Sequence, residues 1–200
     1  MVRLRPDGHG VNAIQAPFPA LGADCITVLD AGRCQGLKDA GLKYVVRYLG
    51  SLTAGELSVI LASGLLCSIV TYADSFDGPT TIRALGALWI PKGVTVYLDL
   101  ESTSQSVSAV TASVNNWASH VSASGWQPGL YVGADQPLSG AQLYTLGVVR
   151  YWESMSAVPD PQCGYCMRQL YKTVTIAGTE VDINVVQYDY EDRLPTFVGA

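Results

Sequence analysis

The chain carries little charge, and least of the positive sign. Lysine and arginine number 12 against 17 acids, charged residues make up 14% of the 200, and the formal net charge is −5. With no basic cluster to meet phosphates, neither a nucleic-acid partner nor capture by an anionic membrane surface is expected. No apolar run approaches the roughly 20 residues of a membrane span, so membrane insertion is not expected either. Residues 1–20 lack the uninterrupted apolar core of a signal peptide, so action outside a cell would need another route of delivery. Histidine is almost missing: His9 and His120 are the only two, and both lie far in sequence from Cys163-Gly-Tyr-Cys166. That pair has no second pair to complete a zinc site. It follows a Pro159/Pro161 segment that reads as loop, whereas a redox pair sits at a helix start. The five cysteines (Cys25, Cys34, Cys67, Cys163 and Cys166) leave at least one without a partner in the chain, and a loop disulfide or two idle thiols is the expectation for the close pair. No Gly-x-Gly-x-x-Gly or phosphate-loop motif occurs, and no metal or cofactor is expected.

Apolar residues, by contrast, make up 48% of the sequence, enough for one domain with a substantial core. Residues 1–22, with Pro6, Pro17 and Pro19 and no periodicity, read as an N-terminal arm or linker, leaving residues 23–200 as a single domain. There, eight short apolar runs at residues 25–30, 44–49, 65–72, 94–100, 129–132, 148–152, 167–171 and 181–187 read as strands. Most are nearly continuous, as in parallel strands covered on both faces. Helix signals lie between them. Thr53-Ala-Gly-Glu56 is a capping box before an apolar stretch closed by Gly64. Val107, Val110, Val114, Trp117 and Val121 form one stripe, ended at Gly125. Residues 79–88 read as helical, and Asp135 before Pro137 reads as the cap of a short helix over 138–146. Residues 154–166 show no periodicity. Alternating strands and helices predict an α/β fold, a compact (β/α)8 TIM-like barrel with at least one helix shortened or missing. An open doubly wound sheet is the competing architecture.

The run Val94-Thr-Val-Tyr-Leu-Asp-Leu-Glu101 places chemistry on that frame. Side chains alternate along a strand, so Asp99 and Glu101 share a face with Tyr97, their α-carbons roughly 7 Å apart. Two carboxylates so crowded repel, and one should hold its proton near neutral pH; Glu101 is expected to hold it while Asp99 stays charged. An acid beside a carboxylate is the machinery of glycoside hydrolysis. Asp30, at the end of the first run, and Asp182, in the last, also fall near strand ends, where barrels build active sites. Tyr48, Tyr72, Tyr97, Tyr131 and Trp152 accompany them, and rings there can stack on sugars.

At these residues the chain resembles the family 25 glycoside hydrolases. It resembles more closely a related glycoside-hydrolase-like domain of bacterial and phage proteins. Asp30, Asp99-Leu-Glu101 and Val181-Asp-Ile-Asn184 carry the likeness on strands one, four and eight. Lys43–Gly50, residues 66–72, Gly129-Leu-Tyr-Val132 and Arg168-Gln-Leu-Tyr171 resemble further strands, so the likeness spans about residues 24–190. The resemblance implies a lysozyme-like muramidase acting on peptidoglycan, with Glu101 as general acid. Asp99 and Asp182 would stabilise charge on the sugar or orient its N-acetyl group, Asp30 would shape the floor, and Gln169 would join the rings in substrate binding. It also implies action at the cell wall, as a phage lysin or within a virion beside other virion proteins; otherwise the protein would be cytoplasmic. The alternative is a barrel that binds glycan without cutting it, as a module of a phage particle or cell-wall protein.

Overall fold

The computed structural model describes residues 3–4, 10–74 and 77–200. Eight strands close into a barrel: β3 (Ala20–Asp24), β4 (Tyr44–Tyr48), β5 (Leu66–Tyr72), β6 (Thr95–Leu100), β7 (Gln127–Val132), β8 (Arg150–Glu153), β9 (Met167–Ile176) and β10 (Thr179–Val186). Neighbours from β3 to β9 pair in parallel, β5 joins β6, and β10 closes the ring antiparallel to both β3 and β9. Among the described residues, helices follow only the first five of these strands: α1 (Ala31–Asp39), α2 (Ala54–Ala62), α3 (Gly78–Ala87), α4 (Val107–Ala123) and α5 (Gly140–Tyr144). The eightfold alternation expected from sequence is therefore replaced by five β/α units and three bare strands. The segment after β8, which lacks periodicity, is loop. The last connection is a tight turn at Ala177-Gly178 that can join only antiparallel neighbours.

Three further expectations are corrected. Residues 10–22 are not a free arm: β2 (Gly10–Gln15) pairs with β11 (Thr196–Gly199), and Ala20 opens the first barrel strand. With a short β1 (Arg3–Leu4) on its outer edge, this ribbon lies at the amino-terminal mouth, where Phe197 packs on Tyr44 at 4.8 Å between ring centres. The run 25–30 is a loop in which Ile26 and Val28 are exposed. The cap of α5 is Ser139, whose side chain accepts from the Gln142 N–H, while Asp135 sits before it at a φ of 57°.

Strand parity sorts the core as the sequence predicts. Val96, Leu98 and Leu100 of β6 face the helices, where the α4 stripe Val110, Val114, Trp117 and Val121 is buried. Tyr44, Val46, Val70, Tyr97, Tyr131, Trp152 and Met167 fill the barrel interior. Arg47 takes the outer face of β4 and is fully buried, 2.9 Å from Glu56. This explains why the capping box at α2 is only half made. Thr53 accepts the Glu56 N–H, but the Glu56 carboxylate turns inward to Arg47 and accepts the Leu29 N–H at 2.9 Å. An unpaired charge buried there would be strongly destabilising.

Candidate active site

Every barrel strand brings one side chain toward the carboxyl-terminal mouth or the layer beneath it. Register fixes the order. Tyr72, Asp99 and Tyr131 lie side by side across β5, β6 and β7, and Asp24 lies opposite Asp182 across β3 and β10. Asp182 reaches this mouth because β10 runs backwards. In a parallel last strand, a residue so near its start would face the opposite end.

Asp99 is 4% exposed. Its Oδ2 accepts from the Tyr48 hydroxyl at 3.1 Å, and its Oδ1 is buried without a hydrogen-bond partner. Burial first, and the neighbouring Glu101 second, push its pKa from 3.8 up to about 7. Of the pair, Asp99 is thus the carboxyl that burial pushes toward its protonated form. Depth decides this: Asp99 lies within the strand, whereas Glu101 stands one residue beyond its end and is exposed. Gly133 lets the Glu101 side chain lie there, because a Cβ at 133 would fall 2.3 Å from the Glu101 Cβ. Tyr48 and Tyr72 stack at 4.3 Å between ring centres, and Tyr72, Asp74, Asp99 and Glu101 border a cavity of about 230 Å³.

On the other side, Asp24 accepts from Asn184 Nδ2 at 2.6 Å, and burial lifts its pKa from 3.8 to about 7. Asn184 is oriented from below. The Trp152 indole N–H donates to its Oδ1 at 2.9 Å, which turns the amide NH2 toward Asp24. Gln169 Nε2 donates to Asp182 at 2.9 Å, and its Oε1 accepts from the Tyr131 hydroxyl at 3.5 Å and the Met155 N–H at 3.3 Å. Asp182 also accepts the Thr173 N–H at 2.7 Å.

Asp99 and Glu101 thus border one cavity and Asp182 another beside Asp24, with Asp24 close enough to act on Asp99, and Asp30 joins neither. Asp30 is the exposed cap of α1, paired with Arg33, which holds its carboxyl below the ordinary range through the Arg33 N–H and charge. Its expected place on strand one belongs to Asp24. The signal is faint: Asp24 ends Ala20-Leu-Gly-Ala-Asp, too small and polar to read as a strand. Tyr97 and Trp152 lie in the floor, and the Tyr97 hydroxyl meets Cys166 Sγ at 3.5 Å, so neither ring lines the cleft. None of the cysteines forms a disulfide, and all are buried. Among the described residues, no group of three or more His, Cys, Asp or Glu gathers in a metal-holding arrangement.

Replacing Tyr48 by Phe removes the hydrogen bond that favours ionised Asp99. The Asp99 carboxyl should then titrate still higher in a carbon-detected NMR titration. A fall would show that the hydroxyl does not stabilise the anion.

The family model described as Rv2525c-like, glycoside hydrolase-like domain matches residues 35–186. Among solved structures, an uncharacterized B. stearothermophilus protein is 16% identical with a TM-score of 0.67, covering 84% of this chain and 96% of its own. The bacterial lysozyme from Streptomyces coelicolor is 11% identical with a TM-score of 0.58, covering 86% and 94%. The catalytic domain of endolysin ply40 from bacteriophage P40 of Listeria monocytogenes is 18% identical with a TM-score of 0.52, covering 86% and 95%. Among proteins with curated descriptions, none matches the chain. At these identities the structural likenesses establish a shared fold. No described helix is long and apolar enough to cross a membrane.

Proposed function

The chain belongs to the Rv2525c-like, glycoside hydrolase-like domain family, and from that premise we propose that it hydrolyses glycosidic bonds in peptidoglycan. The observation that carries this reading is the buried Asp99, beside Glu101 and facing Asp24 and Asp182 at one barrel mouth. Glu101 acts as general acid, protonating the leaving oxygen from an exposed position where water can restore its proton. Asp99, which borders the cleft, orients the acetamido group of the bound sugar and, when ionised, opposes positive charge at the anomeric carbon. Asp24 takes the role that sequence reading gave to Asp30. With Asp182, it keeps that side of the cleft acidic and hydrogen-bonded. Tyr48, Tyr72, Tyr131 and Gln169 supply ring faces and amide contacts for the glycan. The natural place of action on this reading is the cell wall, reached as a phage lysin or as part of a virion. The lysozyme and the phage endolysin among the structural neighbours lend support.

Incubation with purified sacculi tests the proposal. Wild-type protein should release soluble glycan fragments, whereas saturable binding without release would favour a glycan-binding module. Gly133→Ala gives a finer check. The added Cβ displaces Glu101, so release should slow about 10²-fold with the fold intact, as expected for a misplacement near 1 Å. Unchanged release would separate Glu101 from the chemistry.

A further inference from the structure

A second cavity, of about 330 Å³, opens at the other mouth of the barrel, bordered by Asn12, Trp89, Pro91, Lys92 and Trp126. Lys92 and Trp126 stand just before β6 and β7 begin, while Asp99 and Glu101 stand where β6 ends. At about 3.3 Å per residue, the two openings are about 20 Å apart.

Trp89 is the informative residue. It occupies the position after the cap of α3, at a φ of 57°, with its N–H on the Gly86 carbonyl and the Ile90 N–H on the Leu85 carbonyl. Helices α1, α2 and α4 end with the corresponding position in the same left-handed region. There the residues are Gly41, Gly64 and Gly125, at φ values of 90°, 84° and 89°. Glycine suits this backbone, and a bulky side chain is strained in it. Nor does burial account for the indole, which is 45% exposed. A strained, exposed aromatic beside a cavity points to a ligand. The neighbouring wall supplies charge and polarity: the Lys92 ammonium lies 3.0 Å from the centre of the Trp126 ring, whose N–H donates to the Ile90 carbonyl at 3.3 Å.

We propose that this cavity is a second saccharide-binding site, taking a carboxylate-bearing segment of a glycan strand. A pyranose ring lies on the Trp89 indole, a carboxylate faces Lys92, and Asn12 meets hydroxyl or acetamido groups. The choice of a carboxylated glycan rests on the peptidoglycan reading. For a chain of net charge −5, a cationic foothold remote from the acidic cleft would hold an anionic polymer that the cleft itself repels. The site retains the strand while the cleft works on it.

Retention on purified sacculi tests this, measured in the Glu101→Gln background so that turnover does not interfere. Trp89→Gly should weaken retention at least about tenfold, as for loss of an aromatic anchor. In otherwise wild-type protein, Trp89→Gly should leave hydrolysis of a soluble muropeptide tetrasaccharide unchanged. Lys92→Gln should weaken retention more at low salt than at high salt. Undiminished retention in Trp89→Gly, with hydrolysis by wild type intact, would overturn the second site and leave the catalytic reading standing. Trp89-dependent retention without any hydrolysis would do the reverse, and absence of both activities would remove both.

Discussion

Glu101→Gln is expected to lower the release of glycan fragments by roughly 10² to 10⁴-fold, the contribution of a positioned general acid. The side chain is exposed at the end of β6, and glutamine is nearly isosteric, so stability should stay within about 0.5 kcal/mol apart from an electrostatic effect of known sign. That effect is a second readout. The Glu101 charge is the second cause of the raised Asp99 pKa, after burial. In Glu101→Gln, Asp99 should therefore ionise at lower pH. A variant that loses turnover while the Asp99 titration stays fixed would show that the two carboxyls do not interact. Turnover undiminished in Glu101→Gln would assign the acid elsewhere.

Asp99→Asn is expected to be more stable than the parent at pH 8 and indistinguishable from it near pH 4. The folded chain holds the Asp99 proton up to about pH 7, whereas the unfolded chain releases it near 3.8. Between those values the folded state binds more protons, so wild-type stability falls as pH rises. Below that window both states are protonated, and the buried carboxyl carries no penalty. Above it the ionised group sits in an apolar surround, at a cost on the order of 4 kcal/mol. Asparagine escapes the penalty and still offers an amide oxygen to the Tyr48 hydroxyl. A gain of about 2–4 kcal/mol at pH 8 in denaturant titrations is the expected result. Asp24→Asn should shift stability in the same direction, because burial raises Asp24 as well. A wild type more stable than Asp99→Asn at pH 8 would mean that Asp99 is paired or hydrated. A buried acid that destabilises its own fold at neutral pH is what a site held ready for a ligand predicts.

What the sequence made legible followed from parity and apolar runs. The same-face placement of Tyr97, Asp99 and Glu101, the α4 stripe and the strand positions from Tyr44 onward were readable because each has a strong period. The first barrel strand was not. Ala20-Leu-Gly-Ala-Asp is weak in strand propensity because its middle must stay small: a Cβ on Gly22 would lie 2.4 Å from the Tyr44 ring. The more strand-like Ile26-Thr-Val-Leu29 beside it drew the assignment and took Asp30 with it. The backward run of β10 was hidden by strand pattern, which carries no direction. The Arg47–Glu56 pair was not legible, because Glu56 reads, locally, as a capping residue.

Glycoside hydrolysis in the cleft is tested most directly by the chemical nature of the ends created in peptidoglycan. Sacculi treated with the protein and then reduced with borohydride should yield fragments ending in reduced N-acetylmuramic acid, identified by mass spectrometry. The same fragments should be nearly missing after treatment with Glu101→Gln. No new reducing sugar with wild-type protein, or an equal yield from Glu101→Gln, would contradict the assignment of the cleft at Asp99 and Glu101 to glycoside hydrolysis.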